Sequence, residues 1–181
     1  MLTELGISIS YFTQRQRPIH GECEDLVSIG FDIYGREQWL EQKSALAWQA
    51  MLGASAQEGV MLQAVSGFRS FDYQRKIIER KLASGLTVEQ IIRVSALPGF
   101  SEHHTGRAID ISTPGCPPVT ESFEMTIAFD WMVRRGRDFG FSMTYPRNNE
   151  YGVVFEPWHW LFRDPNQATG SVAPGFVATA T

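Results

Sequence analysis

Three of the four histidines in this chain of 181 residues sit in two short segments that also hold acids, glycine, proline and tryptophan. In Ser101-Glu102-His103-His104-Thr105-Gly106-Arg107-Ala108-Ile109-Asp110, seven positions separate His103 from Asp110. That is enough for the chain to turn at Gly106 and bring the carboxylate back on a strand. Glu156-Pro157-Trp158-His159-Trp160 adds a second imidazole between water-excluding indoles, with a carboxylate three positions upstream. Two histidines, one aspartate and an open position make a catalytic zinc site, leaving Glu156 free to act as base. Each residue also has a plainer reading: His103-His104 as a solvated pair, His159 as a core histidine, Asp110 as a cap or a partner of Arg107, Glu156 as a surface acid. Their joint occurrence favours the metal site. A 2-His-1-carboxylate iron centre normally uses a close His-x-Asp spacing that is missing here, so zinc is expected.

These residues have to be positioned by the surrounding elements. On a regular strand, residues 156 and 159 would face opposite sides. Pro157 donates no ladder hydrogen bond, so a strand is expected to start or bend there and let Glu156 reach the cavity of His159. Trp158 and Trp160 then lie across the strand from His159, one in the core and one near the cleft. Upstream, a strand over 60–65 runs into the turn-like Ser66-Gly67, with Arg69 between strand end and helix start. Phe71, Ile78 and Leu82 mark that helix, closed by Gly85, and Thr87 with Gln90 has capping-box spacing for a shorter helix. A strand is expected over 107–112, followed by a proline-rich loop.

Elsewhere, a weak strand is read over 27–33 and a long helix over 38–57, where Trp39, Leu46, Ala50 and Met51 recur at helical spacing. Met125, Phe129, Met132 and Val133 predict an apolar helix face about four turns long, capped at Gly140. Phe141, Met143 and Tyr145 alternate as a strand, and 151–162 reads as a further strand or pair. His20 stands alone and is read as structural or exposed. Two basic clusters, Arg75, Lys76, Arg80 and Lys81, then Arg134, Arg135 and Arg137, are read as solvated surface.

Composition narrows the classes. Hydrophobic residues at 43% support one folded domain over 1–181, with a motif-bearing core near 60–163, an extension and helix before it, and a loose tail over 164–181. A net charge of −4 argues against a nucleic-acid partner. Cys23 and Cys116 fit neither a metal motif nor a disulfide framework. No apolar run can span a bilayer and no signal peptide is legible, so a soluble chain is expected. A removed leader would imply the periplasm or cell envelope, and its absence the cytoplasm; oligomeric state is open.

Several linked segments resemble the VanY-type D-alanyl-D-alanine carboxypeptidases, within the wider group of zinc peptidases with a hedgehog-like fold. They are Ser66-Gly67-Phe68-Arg69-Ser70 with Gln74, then Pro98-Gly99-Phe100 running into the His103 to Asp110 motif, then Phe139-Gly140-Phe141, Tyr145-Pro146 and Glu156-Pro157-Trp158-His159. The resemblance implies zinc on His103, Asp110 and His159, Glu156 as general base, and Arg69 steadying the oxyanion. It also implies Ser101 and Gln74 as contacts to the substrate's terminal carboxylate or backbone, and His104 as a surface residue or a support behind the metal ligands. The expected fold is α+β, a small antiparallel sheet carrying the site with helices on one side and around its ends. The expected activity is zinc-dependent removal of the last residue of D-Ala-D-Ala-ended peptidoglycan stem peptides. An LD-carboxypeptidase or endopeptidase shares every motif, and a zinc-stabilised binding module would not need Glu156 and Arg69.

Overall fold

A computed structural model describes residues 18–165. Residues 1–17 and the tail beyond residue 165 lie outside the described residues. Strand β1 (Leu26–Phe31) pairs antiparallel with β2 (Glu37–Glu41). The turn between them is organised by Asp32, whose carboxylate accepts from the backbone of Tyr34 and Arg36 and from the Arg36 and Gln38 side chains. Helix α1 (Gln42–Gln57) follows directly, with Glu41 as its N-cap accepting from Ser44 N at 3.1 Å. The helix expected from residue 38 therefore starts four residues later. Pairing of Leu40 with Val27 claims 37–41 as strand and buries Leu40 completely, a tertiary reward that local spacing does not reveal.

The main sheet has the order β3-β4-β6-β5 and is antiparallel throughout. Its strands are β3 (Gln63–Ser66), β4 (Ala108–Ser112), β5 (Phe141–Met143) and β6 (His159–Phe162). Between them lie α2 (Phe71–Ala83), α3 (Val88–Val94) and α4 (Ile127–Arg135). Ser70 caps α2, and Thr87 with Gln90 forms the expected capping box on α3. This is the α+β architecture that the sequence led us to expect.

Period-two alternation divides the sheet into two faces. Ile109, Ile111, Trp160 and Phe162 point into the main core, where α1 contributes Ala45, Trp48 and Met51 and α4 contributes Ala128, Trp131 and Met132. Asp110 and His159 alternate with those residues and so face the other way. On that side α2, α3 and the loop after them build a second small core from Ile78, Ile91, Ile92, Leu97 and Phe100. Residues 37–57 are thus part of the same body, since Leu40 and α1 pack into the main core.

Three expected elements are corrected. The four-turn helix before Gly140 is the nine-residue α4 between two 3₁₀ turns, Glu121–Met125 and Gly136–Phe139. Thr126 caps its start, and its inward face is Ala128, Trp131 and Met132, while Met125 and Val133 are exposed. At its end Gly136 keeps helical dihedrals and lets the Trp160 ring pack closely, 3.2 Å from where a Cβ would stand. Strand β5 stops at Met143, short of Tyr145. Of 151–162 only the last four residues are strand; before them Asn149 ties its loop to Pro146 and Val153 by three hydrogen bonds.

The hairpin clamps both turns that carry the chemistry. Phe68 N donates to Trp39 O, and Glu41 N donates to Gly106 O at 2.9 Å. Gly106 has φ +66°, and a Cβ there would stand 2.8 Å from Glu41 N. Gly106→Ala therefore meets both a left-handed backbone and a backbone clash. We expect it to lower the free energy of unfolding by about 2 kcal/mol or more. Urea denaturation checks this, and an unchanged midpoint would contradict it.

Candidate metal centre and active site

The first histidine motif folds as a 3₁₀ turn over Glu102–Thr105, ended by Gly106 in the left-handed region. His103 and His104 are both buried and staple this turn to the one after β3. His103 Nδ1 lies 2.7 Å from Gly67 O, and His104 Nδ1 lies 2.5 Å from Arg69 O. Carbonyls only accept, so each Nδ1 carries the proton. The second nitrogen of His104 accepts from Gly99 N, and Arg69 N donates to His103 O. His104 is thus a buried brace for the Arg69 backbone, not a surface residue. Gly67 is required where the β1–β2 hairpin crosses this turn, because a Cβ would stand 2.6 Å from Trp39 O.

With Nδ1 of His103 committed, its Nε2 points inward as a buried atom with no hydrogen-bond partner, 3.3 Å from Asp110 Oδ1. On the neighbouring strand His159 is directly opposite Asp110 in register, and its Nδ1 is 3.0 Å from the same oxygen. The three donor atoms all lie within 4.8 Å of one another. Zinc bonds of about 2.0–2.1 Å in a tetrahedron set ligand atoms about 3.3 Å apart, so the spacing around Asp110 suits such an ion, as does the donor set. An orphaned imidazole nitrogen in a dry pocket is otherwise a costly feature.

Electrostatics follow from this packing. Burial, with the Arg69 cation, pushes His103 down to about 4, leaving it neutral and able to offer a lone pair. Burial alone would raise Asp110, but His103, His159 and Arg69 outweigh it and hold the carboxyl well below the usual range. Burial works against charge on His159 as well, yet hydrogen bonds to Asp110 and Glu102 raise its affinity for a proton. Arg69 Nη2 lies 3.6 Å from Asp110 Oδ2, on the side away from the histidines.

Pro157 acts as the sequence implied. Residues 156–159 form a turn in which His159 N donates to Glu156 O, and the strand begins at His159. Glu156 and His159 consequently line one cavity together with Arg69, Gln74, Ser101 and Tyr145. All seven residues singled out from the sequence meet around it, Asp110 lying just behind. Burial raises the Glu156 carboxyl to about 7, and the nearby Asp110 and Glu102 charges add to the effect. Trp160 sits in the main core as expected, with its indole N–H on Pro157 O. Trp158 packs half-buried against that same core and does not line the cavity.

Sequence reasoning passed over two contributors. Tyr145 stacks on the His159 ring at 4.8 Å between centroids, and Glu102 Oε2 lies 2.9 Å from His159 Nε2. Glu102 stood inside the motif without a role, since nothing local showed that it would meet a residue 57 positions away. One basic cluster also needs correction. Lys81 is half-buried, its ammonium donating to Ser95 Oγ at 2.6 Å beside the cavity, while Arg75 pairs with Glu79. Cys23 and Cys116 are both free thiols. Among the described residues no helix is long and apolar enough to cross a membrane.

Comparison with known proteins places this geometry. The putative carboxypeptidase YodJ of Bacillus subtilis (strain 168) is 34% identical over 137 residues, covering 74% of this chain and 50% of that protein. The chain thus spans about half the length of this relative. Among solved structures, the LdcB LD-carboxypeptidase aligns with a TM-score of 0.69 at 33% identity, covering 78% of this chain and 69% of its own. A vancomycin-resistance D,D-pentapeptidase VanY variant in complex with Zn(II) aligns at 0.59 and 25% identity, covering 81% and 80%. The family model described as VanY D-alanyl-D-alanine carboxypeptidase matches residues 37–165, from strand β2 to the end of the described fold, and the chain belongs to that family.

Proposed function

We propose that this protein is a zinc-dependent carboxypeptidase that removes the terminal residue from D-Ala-D-Ala-ended stem peptides of peptidoglycan. The observation that carries the reading is the convergence of His103 Nε2, Asp110 Oδ1 and His159 Nδ1 on one point of a cavity that Glu156 and Arg69 also line. A zinc ion held there supplies Lewis acidity, polarising the scissile carbonyl and acidifying water. Glu156 takes a proton from the attacking water and returns it to the leaving amine, work suited to a carboxyl whose pKa burial has raised. Arg69, backed by Asp110 and fixed through its own backbone by His103 and His104, directs a guanidinium at the developing oxyanion.

The binding residues divide by their hydrogen-bonding capacity. Gln74 is buried, and its Nε2 donates to Ala96 O at 2.7 Å, so its Oε1, which has no partner, faces the site as an acceptor. Gln74 therefore takes a substrate N–H, and the carboxylate falls to donors such as the Ser101 hydroxyl and Arg69. The cavity holds about 50 Å³, room for roughly three or four waters, which favours a small terminal residue such as alanine. The likeness to the LdcB LD-carboxypeptidase supports a second reading, in which the scissile bond joins an L- to a D-residue.

Metal and base are separable experimentally. Protein purified without added metal should carry about one zinc per chain, and His159→Ala should lose most of it. Glu156→Gln should keep the zinc and the fold while turnover falls on the order of 10²–10⁴-fold. Near wild-type hydrolysis by the zinc-loaded variant would remove Glu156 from the base role.

Substrate choice is read by mass spectrometry on defined stem peptides. A pentapeptide ending in D-Ala-D-Ala should lose only its last residue, and a tetrapeptide ending in an L–D bond should be cut slowly. The reverse preference would select the LD reading. Amidating the terminus should nearly abolish turnover, since each stranded buried polar partner costs about 1–3 kcal/mol. Equal cleavage of acid and amide would point to an endopeptidase.

A further inference from the structure

We propose that Glu102 is a positioning residue for the metal centre: its carboxylate keeps the proton of His159 on Nε2, so that Nδ1 offers its lone pair beside Asp110 and His103. The proposal rests on the reading of His103, Asp110 and His159 as zinc ligands.

A neutral imidazole carries one N–H, and a ligand must keep that proton on the nitrogen away from the metal. The two edges of His159 face different carboxylates: Nδ1 lies 3.0 Å from Asp110 Oδ1 and Nε2 lies 2.9 Å from Glu102 Oε2. With the proton on Nε2, Glu102 receives a charge-assisted hydrogen bond, and the Nδ1 lone pair and Asp110 Oδ1 can face one bound cation together instead of each other. With the proton on Nδ1, the bare Nε2 lone pair would confront an ionised carboxylate at hydrogen-bond distance in a buried place, acceptor against acceptor. Glu102 thus disfavours the tautomer that cannot bind metal. Such a carboxylate behind a histidine also raises the basicity of the ligating nitrogen.

Glu102 cannot serve as a ligand in its own right at this point. It sits at the opposite edge of the His159 ring, and among the described residues the convergent donor set holds only the other three. Only 6% of its surface is exposed, so its carboxylate meets His159 Nε2 where little water can compete for the bond. Its backbone is pinned in the 3₁₀ turn, where Thr105 Oγ1 donates to Glu102 O at 2.6 Å. Two consecutive residues therefore provide the ligand His103, held by the neutral carbonyl of Gly67, and the carboxylate that supports the distant ligand His159.

Zinc affinity by competition with a chromophoric chelator, together with the His159 tautomer from ¹⁵N chemical shifts of the zinc-loaded protein, tests this. Glu102→Ala should bind zinc on the order of 10–100-fold more weakly than wild type. Glu102→Gln should lie between them, since its amide oxygen still accepts while its NH₂ tolerates the wrong tautomer. Thr105→Ala, which loosens the same turn without touching His159, should stay within about threefold. In the wild type the proton should be found on Nε2. Wild-type affinity in a folded Glu102→Ala, an equal loss in Thr105→Ala, or a proton on Nδ1 would each overturn the proposal. Should Glu102→Ala fail to fold, the isosteric Gln variant and the wild-type tautomer decide it. A wild-type protein that holds no zinc would overturn the zinc reading and this proposal with it. Intact zinc and cleavage with an indifferent Glu102 would overturn this proposal alone.

Discussion

The arrangement depends on one buried carboxylate. Asp110 lies in the middle of β4, 5% exposed, and a charge in such a place is tolerated only when nearly every lone pair is answered. Antiparallel register supplies His159 directly across on β6, the turn at Gly106 returns His103 from the same chain segment, and Arg69 closes the second oxygen from the end of β3. The same carboxylate that must be neutralised is thus the one around which two imidazoles and a guanidinium gather. A cation at their centre would meet ligands already drawn together by the cost of burying Asp110.

The precision of that gathering comes from atoms that face away from it. Gly67 O fixes His103, Arg69 O and Gly99 N fix His104, and Tyr145 covers the ring of His159. Behind these, the β1–β2 hairpin holds the Gly67 and Gly106 turns through Phe68 N and Glu41 N. Both glycines are needed for the same reason: neighbouring backbone comes closer than any side chain would permit. The hairpin carries no chemistry, yet without it the two turns would lose the strand they lean on. The match to the family begins at residue 37, with β2, the strand that makes both of these contacts.

A second consequence concerns Glu156, the proposed base. Glu156 stands on a turn made rigid by Pro157, at the rim of a cavity whose walls are the small core of α2 and α3 on one side and the sheet on the other. Burial that is unfavourable for a charged carboxylate tunes this one toward neutral pH, which is where a base must work. Asp110 and Glu156 are therefore acids of the same cavity driven in opposite directions, the first by partners that favour its charge and the second by their shortage.

The sequence alone carried the chemistry of the site and most of its framework. Histidine, aspartate and glutamate at these spacings point to the proposed donor set and base before any fold is known, and the capping box at Thr87, the Gly85 stop and the proline at 157 are local signals with local causes. Element boundaries at 37–41 and 159–162 were not legible, because Leu40 becomes strand by pairing with Val27 and His159 by pairing with Asp110. Glu102 belongs to the same class. Its role is set by an encounter with His159 across 57 residues, and the burial of His104 by a carbonyl 35 residues upstream. Residue type and short-range spacing determine what a side chain is able to do; which partner satisfies its remaining hydrogen bonds is decided only when tertiary packing removes water and leaves one neighbour in reach.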